Sequence, residues 1–213
     1  PRESTAYISD AKYAPYGPKG KQAIIKRSII NTEKLLDMGV KIIVVACNTA
    51  TTSAISSLRK RYKVPFIGIE PAIKPAALAT NTNKIGVLAT KGTLSSALFY
   101  KTSKKYTQNK TMIEIEGKGI VELIESGKLH SQEMRKLLME SLKPMLDSPI
   151  DCLVLGCTHY HFLIPILREL LPKDVRIIDS GLAVARHTQF ILKKKALQNN
   201  SDKKGTHNFY TNG

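Results

Sequence analysis

Two segments of this chain, residues 42–49 and 152–159, follow the same plan. Each is an apolar run that ends in a small residue, then a cysteine (Cys47 or Cys157), and then a hydroxyl side chain at or near a helix start. The two cysteines are 110 positions apart, which is about the length of one small domain. The pattern therefore predicts two related α/β halves. Each half would carry a thiol at the carboxyl end of a strand, where open α/β sheets bind their ligands.

The rest of the chain alternates between apolar β-branched runs and helical patterns. The predicted strands cover residues 41–46, 64–69, 84–89, 111–115, 150–155, 175–178 and 207–210. The predicted helices cover residues 21–38, 50–62, 73–80, 93–106, 131–146, 162–171 and 182–197. Alternation of this kind predicts an α/β fold, in which parallel sheets are covered by helices on both faces.

Two thiols at helix starts, facing one ligand from opposite sides, suit a two-base racemisation. Partial positive charge at a helix N-terminus lowers the pKa of a cysteine and favours the thiolate. One thiolate would remove a proton from carbon while the other thiol returns a proton to the opposite face, with backbone amides holding an anionic substrate. Cys47 and Cys157 fit equally well as small buried hydrophobic residues, a common fate of free cysteine. Cys152, inside the second strand, is predicted to lie in the core.

Several polar residues near these motifs have both a structural and a chemical interpretation. His159 can orient Cys157 or share a proton with it, or it can be a structural histidine. His159 and His161 form a two-histidine pattern without a third ligand, so a metal site is not predicted. Residues 15–18 read as a turn that either enters a helix or touches a ligand. Glu125 reads as a carboxylate at a helix end. No phosphate-binding or dinucleotide-binding glycine motif occurs, so no nucleotide cofactor is predicted.

Composition narrows the class of protein. The 213 residues are 42% hydrophobic and 23% charged, which is enough apolar surface for a core and excludes a disordered chain. The apolar runs are far shorter than the ~18 residues that cross a bilayer, so no membrane association is predicted. Three cysteines without a CxxC pair favour a reducing, cytoplasmic compartment. The formal net charge of +16 is dispersed and accompanies no nucleic-acid-binding motif, and a basic surface would equally attract a small dicarboxylate.

Residues 44–50 and 155–160 closely resemble the paired cysteine signatures of the bacterial glutamate racemase family. Residues 7–10 together with 15–17 resemble the tyrosine–aspartate and Pro-Tyr-Gly segments of that family. Residues 177–181 and 209–211 resemble its late and closing strands, so the likeness extends over nearly the whole chain. It implies two pseudosymmetric α/β domains, each a mostly parallel sheet flanked by helices, with the active site in the cleft between them. The domains are expected at residues 1–71 plus 181–213 and at residues 72–180.

The resemblance also implies the chemistry of the site. It implies an enzyme that needs no cofactor or metal and interconverts L- and D-glutamate for peptidoglycan synthesis. Cys47 would act on the D enantiomer and Cys157 on the L enantiomer, with His159 and Glu125 as further catalytic residues. The residues expected to bind or orient substrate are Pro15, Tyr16, Gly17, Asn48, Thr49, Thr158 and His159.

Some expectations concern departures from the family and alternative functions. The family's opening strand and helix precede the point at which this sequence starts, so exposed sheet edges and apolar surface are expected. His161 stands where the family often has proline, and residues 117–119 replace a Cys-Pro-containing stretch. A homodimer and a contact with DNA gyrase are further expectations. The alternatives are a racemase or isomerase of another carboxylate such as aspartate, and a basic protein that binds DNA or gyrase.

Overall fold

The computed structural model describes residues 2–213 as a chain of alternating strands and helices. The strands are β1 (Thr5–Ser9), β2 (Ile43–Val45), β3 (Phe66–Gly68), β4 (Lys84–Ala89), β5 (Thr111–Glu116), β6 (Cys152–Gly156), β7 (Arg176–Ile178) and β8 (His207–Thr211). The helices are α1 (Lys21–Asp37), α2 (Asn48–Arg61), α3 (Ile73–Ala79), α4 (Lys91–Leu94), α5 (Ala97–Tyr106), α6 (Ile120–Glu125), α7 (Gln132–Leu146), α8 (Ile164–Leu170) and α9 (Gly181–Lys194). Two short 3₁₀ helices cover Ala11–Tyr13 and Thr158–Leu163. This architecture confirms the predicted α/β class.

A four-stranded parallel sheet in the order β5-β4-β6-β7 forms the centre of residues 72–180. Alternate residues of β4 point to opposite faces of this sheet. Val87 packs into a cluster with α3 and Phe99 of α5, whereas Leu88 packs into a larger cluster with α7 and α8. Because helices cover both faces, β4 is an apolar run from Ile85 to Ala89, as expected for a strand of a buried parallel sheet.

The other four strands form two separate parallel pairs, β1 with β8 and β2 with β3. A third apolar cluster joins β2 and β3 to α2 and includes Ile43, Leu58 and Phe66. A cavity of about 700 Å³ is lined by residues of both β1 and β2. Apolar surface is exposed on the first pair, where Tyr7 and Phe209 are 50% and 76% accessible. α9 packs on β3, which connects residues 181–194 with this part of the chain. The domain boundaries themselves stay a prediction.

Four element assignments differ from the sequence-based ones. The strand Thr5–Ser9 and the helix Ile120–Glu125 were not predicted. The single helix expected over residues 93–106 is wrong: the chain becomes extended at Ser96, whose hydroxyl accepts a hydrogen bond from the Phe99 N–H and starts a new helix. The helix expected from residue 162 begins instead as a 3₁₀ turn, and α8 starts beside a proline at its first turn.

No helix within residues 2–213 is both long enough and apolar enough to cross a membrane.

Candidate active site

Cys47 lies between β2 and α2, at the position that caps the helix N-terminus. Its backbone is extended, and its Sγ accepts a hydrogen bond from the Ala50 N–H at 3.4 Å. Burial raises the pKa of the Cys47 thiol, and hydrogen bonds from the N–H groups of Ala50 and Thr49 offset this only in part. The expectation that the helix start would favour the thiolate is therefore wrong in its net direction. The N–H groups are present as predicted, but removal of the sulfur from water outweighs them.

Cys157 occupies the matching position after β6 and precedes the 3₁₀ helix Thr158–Leu163. Burial, and to a smaller extent the nearby Cys47, raise the pKa of its thiol to about 12. The N–H groups of His159 and Tyr160 act in the opposite direction but do not restore the ordinary value. Here too the predicted lowering of the pKa is wrong, for the same reason. The influence of Cys47 on Cys157 places the two sulfurs within electrostatic reach of each other.

His159 connects Cys157 to Glu125. Its Nδ1 lies 3.8 Å from the Cys157 Sγ, and its Nε2 lies 2.5 Å from the Glu125 Oε1. Glu125 is the last residue of α6, 34 positions earlier in the chain. A neighbouring contact holds the two segments together: the buried Tyr160 hydroxyl donates to the Gly117 carbonyl at 3.1 Å. A Cβ at position 117 would lie 2.2 Å from that hydroxyl oxygen, so this approach requires glycine.

A chain of buried hydroxyl groups joins the start of α2 to the start of α4. The Thr49 and Thr90 oxygens are 2.8 Å apart, and the Thr90 and Thr93 oxygens are 3.1 Å apart. Asn48, next to Thr49, is 3% exposed, and its Nδ2 has no hydrogen-bond partner. Sequence reasoning missed Thr90 and Thr93. Their place at the carboxyl end of a predicted strand was the signal that could have found them.

The loop containing Pro15, Tyr16 and Gly17 lies against the same region. A Cβ on Gly17 would lie 3.3 Å from the Thr90 Cβ, and one on Gly92 would lie 3.3 Å from the Gly17 carbonyl oxygen. The Tyr16 hydroxyl donates to the Asp10 carboxylate, which also binds Arg27. The sequence assigned Tyr16 to the site, placed Asp10 in a family motif without a role in the site, and did not single out Arg27. A contact between a strand end and a helix face 17 residues later has no local pattern.

The cavity of about 700 Å³ brings part of the predicted set together. Its wall includes Tyr16, Cys47, Glu125, Thr158 and His159. This volume is in the usual range for a small-molecule site. The remaining predicted residues adjoin these in the chain and do not line the wall themselves: Pro15, Gly17, Asn48, Thr49 and Cys157.

The described part of the chain, residues 2–213, contains no group of three or more metal-ligating side chains. His161 Nδ1 lies 3.9 Å from the Asp179 carboxylate, and the His161 side chain is 65% exposed. The absence of a metal or cofactor requirement stays a prediction.

Comparison with known proteins identifies the family. The model of the Asp/Glu/hydantoin racemase family matches residues 5–188. The chain belongs to this family. A glutamate racemase from Stutzerimonas stutzeri is 44% identical over 214 residues, covering all of this chain and 80% of the relative. A glutamate racemase from Pseudomonas syringae pv. tomato is also 44% identical, covering 92% of this chain and 72% of the relative.

Solved racemase structures agree with the fold over the whole chain. Glutamate racemase isoform RacE1 from Bacillus anthracis superposes with a TM-score of 0.87 at 29% identity, covering 100% of this chain and 80% of its own. The Escherichia coli glutamate racemase, solved with L-glutamate and the activator UDP-MurNAc-ala, gives 0.85 at 32% identity, covering 97% and 79%. The resemblance seen in the two cysteine motifs is thereby confirmed at the level of family and fold.

Proposed function

We propose that this protein is a glutamate racemase in which Cys47 and Cys157 are the two acid/base groups. The observation that carries the proposal is the matched placement of two thiols. Each lies within two residues of the end of a parallel strand and at the start of a helix, α2 for Cys47 and a 3₁₀ helix for Cys157. The two are close enough for Cys47 to raise the pKa of Cys157. Cys47 lines the cavity, and Cys157 directly precedes Thr158, which also lines it. Two thiols placed in this way can act on opposite faces of a single carbon atom.

The reaction balances with no group other than the substrate and the two thiols. One sulfur, as thiolate, takes the α-proton of glutamate, so that a C–H bond breaks and an S–H bond forms. The electron pair left on the α-carbon delocalises into the adjacent carboxylate, which gains enolate character. The second thiol then donates its proton to the opposite face, and its sulfur becomes the thiolate. Backbone N–H groups at the helix starts stabilise the developing negative charge.

Formation of the first thiolate is the costly step in this protein. With raised pKa values, both Cys47 and Cys157 are thiols near neutral pH in the substrate-free state. His159 Nδ1 lies within reach of the Cys157 sulfur, and its Nε2 is hydrogen-bonded to the Glu125 carboxylate. We therefore assign His159 the transfer of the Cys157 proton and Glu125 the orientation of His159.

Glutamate is the substrate that the relatives favour. The Escherichia coli racemase was solved with L-glutamate and the Francisella tularensis racemase with D-glutamate, and the second covers all of this chain at 28% identity. The alternative substrate, aspartate, has weaker support. An aspartate racemase from Picrophilus torridus matches with a TM-score of 0.55 at 21% identity, which is a likeness of fold alone. Side-by-side turnover of the two amino acids distinguishes these substrates.

Removal of either thiol tests the mechanism. Cys47→Ala and Cys157→Ala should abolish racemisation, because each variant keeps an acid/base thiol on only one face of the α-carbon. The remaining thiol should still exchange the α-proton of one enantiomer for deuterium without inverting it. Cys157→Ala should exchange D-glutamate, and Cys47→Ala should exchange L-glutamate. Proton NMR in D₂O measures the exchange, and circular dichroism measures the inversion.

Cys152→Ala is the matched control, since Cys152 is fully buried in β6 and belongs to the core. It should keep racemase activity per folded molecule while losing some stability. Racemisation that persists in Cys47→Ala or Cys157→Ala would refute the two-thiol mechanism.

The setting of the reaction follows from its chemistry. We place the protein in the cytoplasm, because both thiols must stay reduced, and assign its D-glutamate to peptidoglycan synthesis. A homodimer and a contact with DNA gyrase stay predictions. Light scattering tests the first, and gyrase inhibition by Cys47→Ala tests whether the second is independent of catalysis.

A further inference from the structure

The Asp10 carboxylate is the centre of a hydrogen-bonded network beside the cavity. Arg27 binds it with two N–H groups, Nε to Oδ2 at 3.0 Å and Nη2 to Oδ1 at 2.5 Å. The Tyr16 hydroxyl donates to Oδ2, and the Asn212 side-chain amide donates to Oδ1 at 2.5 Å. The network joins the end of β1, the loop at residues 15–17, helix α1 and the end of β8.

This network differs from an ordinary surface ion pair because it is largely shielded from water. The side chains of Arg27 and Asp10 are 16% and 9% exposed. The guanidinium also lies 3.8 Å from the centre of the Tyr13 ring. Bidentate pairing in such surroundings fixes geometry more strongly than an exposed contact does.

The protonation states in the network are also fixed. Burial raises the pKa of Asp10, but the hydrogen bonds from Arg27, Tyr16 and Asn212 outweigh it and bring the pKa to about 2. Burial and the Asp10 charge raise the pKa of Tyr16. Asp10 is thus always an acceptor and Tyr16 always a donor near neutral pH, which holds the Tyr16 ring in one orientation.

Tyr16 in turn faces the reacting group. Both Tyr16 and Cys47 line the cavity, and Cys47 is near enough to influence the pKa of Tyr16. The next residue, Gly17, packs on Thr90. A displacement of Tyr16 would therefore disturb both the wall beside Cys47 and the contact with Thr90.

We propose that Asp10 and Arg27 are positioning residues for racemisation, which hold Tyr16 and its loop against the Cys47 side of the cavity. The proposal rests on the proposed function. The competing explanation is that the pair only stabilises the fold by tying β1 to α1.

The chain offers a matched control for this test. Arg61, Glu33 and Tyr62 form a second arginine–carboxylate–tyrosine group, with contacts of 3.1 Å and 2.8 Å. Its arginine and glutamate side chains are 57% and 48% exposed. Arg27→Met should lower kcat/KM for glutamate roughly 10–100-fold, with a raised KM, as misplacement by about 1 Å does. Arg61→Met should change neither constant.

Two further variants separate positioning from stability. Arg27→Lys keeps the charge but loses the two-pronged contact, so its kcat/KM should lie between wild type and Arg27→Met. In a Tyr16→Phe background, Arg27→Met should cause a much smaller further loss of kcat/KM than it does alone, because the hydrogen bond between Tyr16 and Asp10 is already absent. Wild-type kcat and KM per folded molecule in Arg27→Met, or losses that simply multiply, would overturn the proposal.

A measurement without substrate keeps the two proposals apart. Arg27→Met and Tyr16→Phe should both speed the alkylation of Cys47 by iodoacetamide, measured by peptide mapping, because the wall beside that thiol loosens. The rate at Cys157 serves as the internal reference. If the wild type does not racemise glutamate but Cys47 is alkylated faster in the two variants than in the wild type, the proposed function is refuted and the positioning role is supported. An unchanged Cys47 rate in both variants refutes the positioning role whatever the activity.

Discussion

Cys157 should alkylate slowly in the substrate-free protein, and the structure sets the size of the effect. Its pKa of about 12, against 9.0 for an unperturbed cysteine, makes its thiolate roughly 1,000-fold scarcer near pH 8. A more basic thiolate is also more nucleophilic, with a Brønsted slope of about 0.4–0.5, which recovers roughly 20-fold. Cys157 should therefore react about 50-fold more slowly than a cysteine in an unstructured peptide.

The assay is pulse alkylation with iodoacetamide between pH 7 and 10, followed by mass spectrometry of proteolytic peptides. It resolves the three cysteines of the same sample. The rate at Cys157 should rise over the whole pH range without a plateau. Cys152, which is fully buried, should remain unmodified and serve as an internal control for unfolding.

A plateau below pH 9, or a Cys157 rate equal to that of the peptide, would refute this reasoning. Either result would mean that the N–H groups of the following turn stabilise the thiolate more than burial destabilises it. Proton transfer from Cys157 to His159 would then be unnecessary for forming the Cys157 thiolate.

Two further predictions concern the contact between Glu125 and His159 and the buried Asp151, which directly precedes β6. Glu125→Gln keeps a hydrogen-bond acceptor for His159 but removes the charge, so steady-state kinetics should show kcat lowered on the order of tenfold or more, and an unchanged kcat would exclude proton transfer from Cys157 to His159. Asp151 is buried, which raises its pKa, but donors in residues 80–82 lower it to about 2. Because the folded pKa lies below the unfolded value of about 3.9, this stabilisation of about 2 kcal/mol is present above pH 4 and lost as pH falls toward 2. In urea titrations Asp151→Asn should lower the free energy of unfolding by about that amount at pH 7 and hardly at pH 2. Asp202→Asn is the control: its side chain is exposed, so the free energy of unfolding should stay unchanged at both pH values. An equal loss at both pH values would contradict the charge argument.

The sequence predicted best where one physical cause dominates. The strand at residues 84–89 matches the structure to the residue, because a strand buried on both faces must be a continuous apolar run. The positions of Cys47 and Cys157 after their strands were equally predictable, since strand, small residue and helix start are all local features. The break between α4 and α5 at Ser96 was not predictable, because the apolar pattern there is helical throughout. It depends on the hydrogen bond that the Ser96 hydroxyl accepts from the Phe99 N–H, which forms only in the folded chain.

Tertiary contacts account for what the sequence missed in the site. The pKa of a thiol depends on how much water the folded chain removes, so helix-start arguments gave the wrong direction at both cysteines. The His159–Glu125 contact spans 34 residues and entered only through family resemblance. The Asp10–Arg27 pair and the Thr49–Thr90 contact likewise join segments that no local pattern relates.

The central claim is that two thiols serve opposite faces of the α-carbon of glutamate. Its most direct test is the early time course of deuterium incorporation from D₂O, starting from pure L-glutamate and separating the enantiomers. The D-glutamate formed should carry deuterium at the α-carbon from the first turnovers, while the remaining L-glutamate still carries protium, because each thiol handles its own proton. Protium retained in the D-glutamate product would mean that one group works on both faces, and no exchange with either enantiomer would contradict the racemase assignment itself.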